Sequence, residues 1–274
     1  MISLSPVSLK SQAKKQKIFD AIFCINLKRR KDRWHRVKKE FKKMWILGEI
    51  IRFDAFCTPE NWRVGCAKSH LEILKFARDK KLKSIIIFED DMKVIEESVT
   101  LLSQDLQNLS KIKWDMFYLG CQFASKIDLP YLISSNKLMR MGWGRWLHAI
   151  AYNCSAYTFL IDKLNMIETD CEKFINVFGA IDVYIEKYLH PKLKVYMVNN
   201  VVCEQFSDYS DINKKLENYH NMIVKNFYIL KKQPQCFQVI MMFSRKISWT
   251  FWLIYRFYFY SPLKYYLWRN WRWR

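Results

Sequence analysis

Residues 85–91, Ile-Ile-Ile-Phe-Glu-Asp-Asp (IIIFEDD), run four apolar side chains directly into three carboxylates. A short β-branched apolar run closed by polar residues is the pattern of a strand buried on both faces. The acids that end it are harder to place. Neighbouring carboxylates repel and resist ionising together, and here they cluster in a chain of net charge +20. Two readings account for them: a solvated turn at a strand end, or a site that holds a cation. Alternate side chains of an extended chain share a face, so Glu89 and Asp91 are expected to project together and Asp90 to point away. Two carboxylates on one side suit a hard divalent cation bound through oxygen.

The flanking segments set the fold. KIFDAIFCINL (17–27) and IIRFDAF (50–56) read as strands. Between them Trp34, Val37, Phe41 and Met44 are spaced by 3, 4 and 3, one face of a helix. GCAKSHLEILKFARDKK (65–81) and SVTLLSQDLQNL (98–109) read as helices, and KWDMFYLG (113–120) as a strand. HAIAYNCSAYTFLIDKL (148–164) is a strand running into a helix, AIDVYIEKYLH (180–190) a helix, and KVYMVNNVVCEQ (194–205) a strand. GWGRW (142–146) is a loop. Strands alternating with helices predict an α/β fold with a mostly parallel sheet flanked by helices. Ligands of such sheets bind beyond the carboxyl ends of the strands, where IIIFEDD places its acids.

Half of the 274 residues are apolar and only six are Gly and six Pro, so a packed core is expected. Lys and Arg outnumber the acids 46 to 26, which calls for an anionic partner: a nucleotide phosphate, a membrane surface or nucleic acid. The eight cysteines include no CxxC pair, which disfavours a zinc site of the usual spacing. Several stand in apolar runs as small core residues, and a reducing, cytoplasmic setting is expected. Residues 1–17 lack the apolar stretch of a secretory signal and are expected to be flexible; residues 18–235 are expected to form the main domain. Residues 236–274 are crowded with Trp, Tyr, Phe and Arg. Their uncharged run between Lys246 and Arg256 is nine residues, against the roughly 20 a spanning helix needs. Such a segment lies on an anionic membrane surface or packs as a helix with its Arg side chains on rings; nucleic acid is ranked below both.

Further side chains are candidates, each with a plainer reading beside it. The basic start NLKRRKDR (26–33) follows a strand, where a helix N-terminus attracts phosphate and Arg29, Arg30 and Arg33 add bidentate donors; a solvated basic face is the alternative. Ser69 and His70 fall inside a helix, where a satisfied core histidine is common. Asp182 sits in an apolar setting, GAIDVYIE, as a base of raised pKa or as a helix cap. Asp208 and Asp211 read as turn and cap residues.

The ordered series INLKRRKDR, GCAKSH, IIIFEDD, WDMFYLG, HAIAY, IDVYI and EQFSDYSDI resembles glycosyltransferase family 25, which includes lipooligosaccharide sugar transferases and the collagen galactosyltransferases. The resemblance covers residues 18–213. It implies a glycosyltransferase-A type, Rossmann-like fold and a nucleotide-sugar donor, UDP-galactose or UDP-glucose. It implies Mn²⁺ or Mg²⁺ at an acidic motif, here Glu89 and Asp91 with Asp90 on the nucleotide. Asn26, Arg30, Arg33, Ser69 and His70 match motifs that line or pack near the donor site. An inverting transfer to a glycan, glycolipid or protein hydroxyl needs one base, with Asp182 first and Glu186, one helical turn on, second. Arg63-Val64 before the GC motif, the GWGRW loop and the aromatic C-terminus depart from the family pattern. Two rivals stand against this reading: a basic membrane- or nucleic-acid-binding protein on a transferase-like fold, and a metal-dependent nucleotidyltransferase.

Overall fold

The computed structural model describes residues 4–7, 18–44, 49–122, 131–133, 138–141, 144–206, 209–210 and 215–216. The segment 236–274, Asp208, Asp211, Gly142 and Trp143 lie outside them.

In chain order the elements begin with strands β1 (Leu4–Val7) and β2 (Ala21–Asn26), helix α1 (Lys31–Lys43), β3 (Ile50–Asp54), α2 (Trp62–Asp79) and β4 (Ser84–Glu89). Strand β5 (Met92–Val94), α3 (Glu96–Leu109), β6 (Met116–Tyr118), β7 (Tyr131–Ile133), β8 (Leu138–Arg140) and β9 (Ala149–Asn153) follow. Helices α4 (Cys154–Lys163), α5 (Met166–Thr169), α6 (Cys171–Phe178) and α7 (Ile181–Tyr184) then lead through a π-helical turn (Ile185–Leu189) and a 3-10 turn (His190–Lys192) to β10 (Val195–Met197) and β11 (Cys203–Gln205). A short hairpin of β12 (Tyr209–Ser210) and β13 (Lys215–Leu216) closes the described chain.

Nine strands form one sheet in the order β1-β3-β2-β4-β9-β6-β10-β8-β7. Pairing directions put β2, β3, β4, β6, β7 and β10 one way and β1, β8 and β9 the other. The sheet is therefore mostly parallel and flanked by helices, as the alternating pattern predicts. Strand β9 is the exception at its centre, inserted antiparallel between β4 and β6.

The strand alternation sorts the core into two layers, one on each sheet face. Ile85 and Ile87 of β4 join Phe23, Tyr118 and Ile150 and pack with Leu71 and Leu74 of α2 and Leu160 of α4. Ile86 and Phe88 join Cys24, Phe117 and Ala151 on the other face, with Trp34, Val37 and Phe41 of α1 and Leu102 of α3. All four apolar residues of IIIFEDD have no exposed surface, which is why the run carries no polar alternation.

Four sequence expectations change. Leu4–Val7 pairs with β3 as an edge strand instead of fraying, and its Pro6 is of the kind edge strands tolerate. Residues 194–205 form two strands, not one: β10 stays in the large sheet, while β11 turns off to pair with β5. Gly120 permits that departure, because a Cβ there would lie 1.8 Å from the Cys203 carbonyl oxygen. Residues 180–190 wind as three short pieces instead of one α-helix. Asp182 caps no helix: Ala180 precedes the first turn, and the Asp182 carboxylate takes the N–H of Val183. Among the described residues no helix is long and apolar enough to cross a membrane.

Candidate active site

The acids stand at the carboxyl edge of the sheet, where two cavities of about 270 and 110 Å³ meet. Glu89, Asp91 and Cys66 line both, and Asp90 lines only the smaller. The alternation that sends Ile85 and Ile87 to the α2 face carries Glu89 with them, so its carboxylate meets that helix.

Asp90 is buried and doubly held. Asn26, at the end of β2, donates from Nδ2 to Asp90 Oδ2 at 2.6 Å. Arg33, on the first turns of α1, donates from Nη1 to Asp90 Oδ1 at 3.0 Å. Burial still raises the Asp90 pKa against these two partners. For Glu89 burial is again the largest effect and pushes the same way, but the hydrogen bond and charge of His70, with the charges of His148 and Arg33, together outweigh it, and its pKa lies below the ordinary value. The His70 Nε2 to Glu89 Oε1 distance is 3.1 Å. Asp91 is the least compensated: Arg33 stands 3.9 Å away, and Gln205 offers its amide at 3.4 Å. Burial, then the charge of Glu89, raise the Asp91 pKa to about 7. Gln205 arrives there because β11 pairs with β5, which sets Gln205 opposite Met92, and the N–H of Phe206 donates to the Asp91 carbonyl.

The GCAKSH segment assigns a separate task to each of its distinctive residues. Gly65 lets α2 lie against the chain that follows β3; a Cβ there would be 2.3 Å from the Phe56 carbonyl oxygen. Ser69 bolts the same junction, taking the Phe56 N–H at 3.1 Å and donating to the Gly65 carbonyl at 2.7 Å. His70 holds Glu89. Cys66 points its thiol at the same carboxylate, 3.9 Å away, and burial raises that thiol's pKa well above the ordinary value. The ligand atoms of Cys66, His70 and Glu89 lie within 4.8 Å of one another, so one metal ion could reach all three.

Asp182 lines the larger cavity and accepts the N–H of Trp146 at 3.1 Å. Burial raises its pKa, chiefly against the hydrogen bonds from Trp146 and Val183. Glu186 is placed differently. It is buried beneath the cavity wall in an ion pair with Arg145, 2.7 Å from Nε. Arg30 lines neither cavity; its guanidinium is forked onto Asp32 at 2.8–3.2 Å. Ser69 is likewise absent from both linings and serves the junction just described. Sequence reading missed Cys66, Gln205, Phe56, Trp62 and Trp146 as lining residues. Signals for three were present: Cys66 within the GC motif, Gln205 within EQFSDYSDI and Trp146 within GWGRW.

No family profile matches the chain. Curated relatives do. The chain is 26% identical over 129 residues to procollagen galactosyltransferase 2 of Mus musculus, covering 37% of this chain and 21% of that protein. It is 24% identical over 155 residues to a Bos taurus protein named probable inactive glycosyltransferase 25 family member 3, covering 47% and 26%. The similarity to glycosyltransferase family 25 read from the motifs is thus found in curated sequences, and it spans about a quarter of those relatives' length. Among solved structures, a glycosyltransferase involved in glycosylating the major capsid of PBCV-1 aligns over 71% of this chain and 95% of its own, at 8% identity and a TM-score of 0.45.

The Arg33–Asp90 pair yields a stability prediction. Arg33→Ala leaves Asp90 buried without its cation and is expected to cost about 3–5 kcal/mol in urea unfolding. Adding Asp90→Asn in the same chain is expected to recover most of that loss; a double variant no more stable than Arg33→Ala alone would mean that the ion pair is not the source.

Proposed function

We propose that the chain is a metal-assisted glycosyltransferase that moves galactose or glucose from a UDP-sugar to a hydroxyl acceptor with inversion. The observation that carries this is the position of Glu89 and Asp91 at the junction of two cavities of different character. The smaller is walled by Ile25, Leu27, Phe56 and Trp62 with Arg33 at the acids, a fit for a nucleobase and its phosphates. The larger holds carboxylate, amide and guanidinium groups around one indole, a fit for the sugar and the acceptor. A diphosphate bridging the two would lie on the acids.

Carboxylate oxygens at Glu89 and Asp91 fit Mn²⁺ or Mg²⁺. A softer ion on Cys66, His70 and Glu89 fits less well, because a ligating histidine normally has its second nitrogen supported. Here His70 Nδ1 is buried without a partner among the described residues. A divalent cation bound by the acids would offset the negative charge that develops on the departing diphosphate. The protein's own groups do the rest. Asn26 and Arg33 fix Asp90, and with it the turn that aims Asp91. His70 aims Glu89. Asp182 takes the proton of the acceptor hydroxyl as that oxygen bonds to the anomeric carbon and the bond to UDP breaks. Glu186, tied to Arg145, positions the wall that carries Asp182.

The relative named inactive is as similar as the galactosyltransferase, so resemblance alone does not decide for catalysis over binding. The distinguishing measurement is hydrolysis of a panel of UDP-sugars with and without Mn²⁺. UDP release from one sugar is expected only with metal, and Asp91→Ala is expected to lower it at least a hundredfold, the scale of a lost electrostatic stabiliser. Silence with every donor, and no metal-dependent UDP binding, would favour the binding protein; transfer of the nucleotide instead of the sugar would favour the nucleotidyltransferase.

The second test is the pH profile. A base must be ionised, and the pKa of Asp182 is raised by burial. Transfer is therefore expected to fall as pH drops through an apparent pKa above the ordinary 3.8 of an aspartate. Asp182→Asn is expected to abolish transfer and leave UDP binding nearly intact; unchanged turnover would remove Asp182 from the mechanism.

Residues 237–274 are proposed to hold the enzyme on the cytoplasmic face of a membrane, where a lipid-linked acceptor lies, with no role for nucleic acid. Their removal is expected to abolish sedimentation with anionic liposomes while sparing soluble-acceptor activity. Retained liposome binding would locate the membrane contact elsewhere.

A further inference from the structure

Trp146 is bulky, β-carbon-bearing and held at a φ of +67°, a region where such a side chain is a genuine outlier. Glycine or asparagine would occupy that position without the same steric penalty. Strain of this kind persists only where surrounding contacts over-determine it, and it gathers at ligand sites. The contacts are visible. Arg145 and Gln122 exchange backbone hydrogen bonds at 2.8 and 3.0 Å. The Arg145 side chain is pinned to buried Glu186, Leu147 is buried, and the Trp146 N–H is fixed on Asp182 Oδ2. All of this places an indole in the wall of the larger cavity.

The neighbours of that indole give the chemistry. Asp182, Gln122 and Gln205 ring the same cavity with hydrogen-bonding groups. A flat apolar ring among several polar groups matches a pyranose, which has an apolar C–H face and a rim of hydroxyls; aromatic side chains with a polar edge suit such two-natured partners. The backbone N–H of Trp146 donates to the Asp182 carboxylate and both residues line one cavity, so a sugar resting on the indole shares that cavity with the carboxylate.

We propose that Trp146 is the stacking platform for a saccharide acceptor, so that the acceptor is a glycan and not a bare peptide or lipid hydroxyl. This rests on the transferase reading for the word acceptor, but the binding itself does not. The test uses the full chain with three variants. Trp146→Gly relieves the φ strain and is expected to fold with an unchanged thermal melt; Trp146→Phe keeps a ring; Trp146→Ala keeps the strain without one. Saturation-transfer NMR is run with mono- and disaccharides of galactose, glucose, N-acetylglucosamine and mannose as probes. Mn²⁺-dependent UDP binding is measured beside it. At least one saccharide is expected to bind the wild type, about tenfold more weakly in the Gly and Ala variants, and within about threefold of wild type in the Phe variant. UDP affinity is expected to be the same in all four proteins.

Saccharide binding untouched by loss of the ring overturns the proposal, as does no saccharide signal from the wild type. A parallel loss of UDP affinity overturns it too, by moving Trp146 to the donor. Absence of UDP binding with Trp146-dependent saccharide binding sinks the transferase reading and leaves the saccharide site standing.

Discussion

Three adjacent carboxylates at the end of a fully buried strand must each be neutralised, and the site is built around how that is done. Asp90 has Asn26 and Arg33, from the end of β2 and the start of α1. Glu89 has His70 from α2. Among the described residues Asp91 has only the amide of Gln205 and a more distant guanidinium. The elements that supply these partners are β2, the helix α1 that follows it, the helix α2 that follows β3, and β11, so the parallel half of the sheet and the acids are organised by one requirement. What the protein leaves uncompensated lies where both cavities meet.

Much of this was legible in the chain. The continuous apolar run of β4 announced a strand buried on both faces, and the period-two rule placed Glu89 and Asp91 together on the larger cavity with Asp90 apart. The 3-4-3 spacing matched the buried Trp34, Val37 and Phe41 of α1 and Met44 just past its end. What could not be read was non-local. That β9 inserts antiparallel depends on pairing with β4 and β6 far from it in sequence, and that residues 194–205 split depends on Gly120 admitting a neighbouring carbonyl. The roles of Ser69 and Arg30 failed to appear for a similar reason. A hydroxyl at position i and a carbonyl at i−4 predict a local bond, but only the approach of Phe56 shows that Ser69 serves a junction. Arg30 found a partner two residues away in Asp32, a local pairing that the spacing of the basic motif does not announce.

Asp182 and Glu186 look equivalent from sequence, one helical turn apart in a carboxylate-bearing segment. Their divergence comes from the winding. The π-helical turn that begins at Ile185 changes the angular step between the two side chains, so one faces the cavity and the other is buried against Arg145. Such turns recur at functional sites, because they redirect one side chain without moving the helix that carries it.

The insertion of β9 also has a bearing on how the molecule comes into being. Strand β4 is bonded along its length to a segment that is synthesised much later, and the N–H of Glu89 itself waits for the carbonyl of His148. Until that segment arrives, a long apolar strand edge is open to any other chain, and loop closure over so wide an interval is slow. The acids therefore acquire their final alignment only after the central sheet has closed. A nascent chain released before β9 would carry the acids with Asn26, Arg33 and His70 but without the Glu89 N–H bond to His148 and without Gln205, and its most apolar strand would present an open edge.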